Sequence, residues 1–104
     1  MVNFECFLND YHMIIEVITM EQVNAVFAAF NEYGKKSWND QLLLDAEDTI
    51  NEFGNAYIGL AGIGDANYLV FSNYDDSDTV VPFYDVLFDK LSISPDALLD
   101  ILMD

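Results

Sequence analysis

The sequence predicts an α+β domain: an antiparallel sheet of about four strands in the order ββααββαα, with helices packed on one face. Three observations lead there. Residues 2 to 8 alternate, with Val2, Phe4, Cys6 and Leu8 on one side and Asn3 and Glu5 on the other, which is the period of a half-buried strand. Val23, Val26, Phe27 and Phe30 follow the i, i+3, i+4, i+7 spacing of a core-facing helix. Two further apolar runs, "NAYIGLAGIG" and "NYLVFSNY", flank a turn near Gly64–Asp65 and read as a strand pair.

The elements follow in order. "NDYH" supplies a turn after the first strand, and the β-branched "MIIEVIT" returns from it as a hairpin partner. Thr19 and Gln22 form a capping box, each side chain satisfying a free backbone N–H at the start of the first helix. Gly34 can adopt the left-handed conformation that ends it. The second helix has Ser37 as N-cap, Asp40 three residues on, and Gly54 at its C-terminal stop. Trp38 at its start reads as a staple or core residue. At about 100° per residue, Leu42, Leu43, Ala46, Ile50 and Phe53 fall in one core-facing arc. Gly59, Ala61 and Gly62 mark a close backbone approach or a bulge in the third strand. "DDSD" is a polar connection. "PFYDVLFDKL" has Pro82 suited to a first helical turn, although its β-branched and aromatic content also fits a strand. The last helix starts with Ser94 as N-cap, Pro95 at N1 and Asp96 near the positive end of the dipole. With 104 residues and neither linker nor repeat, the chain is expected to form one compact domain over 1–104.

Charge narrows the function. A hydrophobic fraction of 53% excludes intrinsic disorder, yet 19 acidic residues stand against three lysines and no arginine, for a formal charge of −16. Solubility alone needs a magnitude of only roughly 2–8 in a small domain. The excess repels nucleic acid and anionic membranes and favours a basic partner. Neither a basic leader nor an apolar run of membrane-spanning length is expected, and the single cysteine, Cys6, fits a reducing compartment, so a cytoplasmic protein is expected. Alternation places Cys6 inside as a small hydrophobe.

Catalytic and metal motifs fail one by one. "NYDDSDTVVPFY" sets Asn73, Asp75, Ser77 and Thr79 at alternate positions, but Asp78 replaces the glycine of a calcium loop and Tyr84 its bidentate Glu. His12 is the sole histidine, expected exposed in the first hairpin, so no zinc set exists. "GLAGIG" matches neither a dinucleotide fingerprint nor a phosphate loop, and no serine sits in a nucleophile elbow. Neither catalytic residues, cofactor nor metal is expected; the chain reads as a binding protein.

The candidate contact residues lie on the second helix and the loop near residue 75. Asp40, Asp45, Glu47, Asp48 and Glu52 cover the half of the helix opposite its apolar arc, and Leu44 stands among them as a contact anchor. Asp45 and Asp48, and Asp48 and Glu52, are like-charged neighbours that each cost a few tenths of a kcal/mol in an isolated helix, about 0.2–0.5. Along the axis they are ~4.5–6 Å apart, the same order as phosphates on a nucleic-acid strand, about 3.4 Å. Tyr74, Asp75, Asp76 and Asp78 form a second patch. Asp85 with Asp89, and Asp96, Asp100 and Asp104, repeat at four-residue spacing.

In size, charge and aromatic content the chain resembles the small acidic proteins of phages and mobile elements, including anti-restriction and anti-CRISPR proteins. That resemblance implies an inhibitor occupying the basic nucleic-acid groove of a nuclease or a CRISPR or restriction effector. Two other functions use the same composition: an immunity protein that plugs a basic nuclease toxin, and a non-enzymatic adaptor or homodimeric structural protein with a solubilising acidic surface.

Overall fold

The structure, a computed structural model, describes residues 2–8, 12–32, 40–60, 68–74, 78–88 and 100. Its regular elements are β1 (Val2–Asn3), a 3₁₀ segment (Phe4–Leu8), β2 (Met13–Val17), α1 (Met20–Glu32), α2 (Asp40–Phe53), β3 (Ala56–Leu60), β4 (Tyr68–Phe71), β5 (Thr79–Pro82), a 3₁₀ turn (Phe83–Asp85) and β6 (Val86–Leu87). Mixed helix and strand, as expected, is what the chain adopts.

The main sheet has the strand order β4-β3-β2-β5. β3 runs antiparallel to both β2 and β4. β5 lies on the other side of β2 and parallel to it, with Ile14 opposite Val80 and Ile15 opposite Val81. The sheet is therefore mixed, not purely antiparallel as the sequence suggested. The expected hairpin between the first two strands does not form, because β1 pairs in parallel with β6, Val2 opposite Val86.

Local chemistry explains why residues 2–8 are not one strand. The Asn3 side-chain oxygen accepts the Glu5 backbone N–H at 3.0 Å, which removes that donor from any ladder. The backbone then tightens to three residues per turn, so side chains three apart share a face. Phe4 and Phe7 point inward together, ring centroids 6.0 Å apart, while Glu5 and Cys6 are exposed. The expected burial of Cys6 is thus corrected. Phe4 also meets Phe30 of α1 edge-on at 4.8 Å and Phe88, just after β6, at 5.3 Å.

α1 starts as its sequence indicates. The Thr19 hydroxyl accepts the Gln22 N–H at 3.3 Å, and the Gln22 amide oxygen accepts the Ile18 N–H at 2.8 Å, one residue before the position a capping box usually serves. Gln22 is fully buried by this closure. Thr19→Ala is expected to lower stability by about 1 kcal/mol, readable as a shifted urea midpoint with unchanged slope.

One apolar cluster joins Ile15, Val17, Ala56, Ile58 and Val81 of the sheet to Val23, Val26, Phe27 and Phe30 of α1 and Ala46 of α2, with Leu42, Leu43 and Ile50 packed at its margin. Because Ile15 faces Ile58 and Val17 faces Ala56 across the ladder, these side chains share one sheet face. Both helices cover that face. Phe53 departs from its expected place in the core arc: it is 56% exposed at the last helical residue. Gly54 follows at φ 82°, its N–H on the Ile50 carbonyl at 2.8 Å, and stops α2 as anticipated.

Pro82 is the other departure. Its backbone is extended, at φ −60° and ψ 148°, and it closes β5 before a single 3₁₀ turn leads into β6. The helix expected to begin there is replaced by these pieces through Leu87, so Asp85 belongs to no helical acidic row. Pro82 cannot donate to a ladder, which suits β5 to its place beside only one described neighbour. Gly34, Ser37, Trp38, Ala61, Gly62, the Gly64–Asp65 turn, Asp89 and Ser94 to Asp96 fall outside the described residues; of the last predicted helix only Asp100 is described, in helical conformation and exposed. Among the described residues no helix is long and apolar enough to cross a membrane.

Candidate functional site

α2 is held by Ala46, Leu42, Leu43 and Ile50 on its inner side, and this fixes what its outer side presents. Leu44 is 55% exposed, with Glu47 and Asp48 exposed three and four residues on and Glu52 exposed one turn beyond Asp48. Three and four residues is the spacing of direct neighbours on a helix surface, so Glu47 and Asp48 stand beside the apolar side chain, and Glu52, eight residues from Leu44, extends the acidic face by a further turn. The chain's three lysines, Lys35, Lys36 and Lys90, all lie outside the described residues, and within the described part none neutralises this face. Asp45 differs. It is half-buried, and its carbonyl accepts the Thr49 hydroxyl at 2.7 Å. Asp40 opens the helix.

Tyr74 and Asp78 are brought together elsewhere. Strand alternation sends Ile14, Glu16, Tyr57, Gly59 and Phe71 to the sheet face opposite the helices. A Cβ on Gly59 would lie 3.3 Å from Phe71 Cε2 and 3.4 Å from Ile14 Cγ1, so glycine here leaves room for two neighbouring side chains, in place of the close backbone approach or bulge that the sequence implied. On this face a cavity of about 200 Å³ is lined by Ile14, Phe71, Asn73, Tyr74 and Asp78. The Asp78 side chain is only 15% exposed, and its Oδ1 lies 3.5 Å from Nδ1 of His12, itself 71% exposed. The Thr79 N–H on the His12 carbonyl, at 2.6 Å, ties the two segments together. Asp75 and Asp76, expected in the same patch, fall outside the described residues.

Tyr74 is positioned by a network that the sequence did not reveal. Asn55 Nδ2 donates to Glu16 Oε2 at 3.0 Å and to the Tyr57 hydroxyl at 3.2 Å. The Tyr57 ring then meets Tyr74 edge-on, centroids 5.2 Å apart. Burial raises the Tyr57 phenol above its ordinary pKa of 10.0; the Asn55 hydrogen bond opposes this and the Glu16 charge adds to it. A raised folded pKa means the native state holds its proton longer than the unfolded chain. That contribution is complete below about pH 10 and disappears as pH climbs through the folded value. Tyr57→Phe is therefore expected to flatten the alkaline fall in stability above about pH 10, measured by urea unfolding between neutral and alkaline pH. A variant as steep as the parent would place the titration elsewhere.

Set beside known protein families, curated proteins and solved structures, the chain matches none of them. The site rests on its own geometry.

That geometry separates the sequence-predicted residues into two groups on opposite sides of the sheet: Leu44, Glu47, Asp48 and Glu52 outward on α2, and Tyr74 with Asp78 on the far face. A flat partner cannot cover both. Among the described residues no three potential ligands cluster as a metal site would need. The one signal of the far-face network was Glu16, a charge inside the apolar run of β2.

Proposed function

We propose that this protein is a cytoplasmic, non-enzymatic inhibitor that inserts the outer face of α2 into the basic nucleic-acid-binding groove of a target enzyme. What supports the reading is one observation: a helix anchored on its inner side presents Glu47 and Asp48 beside the exposed Leu44, with Glu52 exposed one turn further on. Along the axis Asp48 and Glu52 stand ~6 Å apart, close to the spacing of alternate phosphates on one strand, about 7 Å. A flexible acidic tail would lose conformational freedom on docking; a helix already ordered by its core face does not. The overall charge of −16 steers the encounter, and Leu44 supplies the desolvated contact that charge alone lacks.

Such a protein, made by a phage or mobile element, would serve counter-defence of the anti-CRISPR or anti-restriction kind. The immediate test is capture from a bacterial lysate on the immobilised protein at low salt, followed by a salt step. The expected result is one predominant nucleic-acid-binding enzyme, released as screening shortens the reach of the carboxylates to about 8 Å and less. Indiscriminate recovery of many basic proteins would contradict it.

A further inference from the structure

We infer that the far-face cavity bounded by Ile14, Phe71, Asn73, Tyr74 and Asp78 is a receptor for one arginine side chain of a basic polypeptide. Its volume, about 200 Å³, is below the roughly 300–1,000 Å³ of small-molecule and cofactor sites, so it takes a side chain and not a drug-sized ligand. Its walls select the kind. Ile14 and Phe71 offer apolar surface to an aliphatic stem. Tyr74, 49% exposed and braced by Tyr57, offers a ring face for a planar cation. Asp78 holds a largely buried carboxylate at the same cavity, with His12 beside it. A guanidinium stacks on an aromatic ring while one of its N–H groups donates to the carboxylate beside His12, whereas a lysine ammonium is compact and more strongly hydrated. The negative field of the chain excludes an anion.

The inference extends the reading of a basic partner but concerns the face away from α2, so it is tested without any partner. N-acetyl-arginine methylamide, its lysine counterpart and the uncharged norleucine counterpart are titrated at low salt while NMR follows the Ile14 methyls and the Phe71 and Tyr74 rings. Saturable binding of the arginine probe in the millimolar range is expected, weaker binding of lysine, and none of norleucine. Asp78→Asn is expected to weaken the arginine probe about tenfold, the share of one charge-assisted hydrogen bond. Tyr74→Ala should weaken it by a smaller factor, and Glu47→Gln/Asp48→Asn/Glu52→Gln should leave it unchanged. Equal responses to arginine and norleucine would overturn the inference, as would non-saturating shifts spread over every acidic segment. If the arginine probe fails while α2 still captures a partner, the cavity assignment falls alone.

Discussion

Phe7→Ala is expected to lower the unfolding free energy by about 3–5 kcal/mol, while Cys6→Ser leaves it within about 0.5 kcal/mol. The pair discriminates between two local structures. In an alternating strand over residues 2–8, Cys6 would face the core and Phe7 the solvent. In the 3₁₀ segment Phe7 is buried beside Phe4, and Cys6 is exposed. Phe4 in turn contacts Phe30 and Phe88, and Phe88 lies 5.2 Å from Phe83, so truncating Phe7 opens a cavity at the edge of an aromatic group that cannot collapse without moving several rings. Against a total stability of about 5–15 kcal/mol for a typical domain, the loss is large enough to read in a simple urea series. A mild Phe7→Ala joined to a costly Cys6→Ser would restore the strand.

What could be read from the sequence follows the range of the interactions. α1 and α2 were legible because their signals are local: the apolar spacing of α1, the Thr19–Gln22 cap and the Gly54 stop all act within a few residues. β3 and β4 were legible as an antiparallel neighbouring pair for the same reason. The parallel partner of β2 was not. "TVVP" is a short run whose partner lies more than sixty residues earlier in the chain, and no periodicity encodes such a pairing. Residues 2–8 misled because Val2, Phe4, Cys6 and Leu8 satisfy a two-residue period while Phe4 and Phe7 satisfy a three-residue one; the Asn3 side chain decides between them. The candidate contacts divide likewise. The outward α2 residues followed from helical phase, whereas the meeting of Tyr74, Asp78 and Ile14 depends on the sheet register.

Glu47→Gln/Asp48→Asn/Glu52→Gln is expected to reduce partner affinity by about a hundredfold or more, since truncating even one desolvated charge pair commonly costs 2–5 kcal/mol. The free protein should fold as well as before or slightly better. Asp48 and Glu52 are like-charged neighbours, and relieving each such pair returns about 0.2–0.5 kcal/mol. Opposite signs on binding and on stability are the signature of carboxylates placed for a partner. Leu44→Ala completes the comparison. It removes no charge and little buried surface from the free protein, yet a desolvated anchor at the centre of a contact carries more than 1 kcal/mol. Lower affinity with an unchanged salt dependence is expected for Leu44→Ala, and a shallower salt dependence for the charge variant. If all variants bind like the parent, the contact lies on another surface.

The decisive measurement is competition on the captured partner: its affinity for nucleic acid, determined at several fixed concentrations of this protein. If α2 fills the groove, nucleic acid and protein exclude each other, and the apparent dissociation constant rises in proportion to added protein without reaching a plateau, an effect removed by the charge variant. A stable ternary complex, with nucleic acid bound at undiminished affinity, would show that α2 does not occupy that groove.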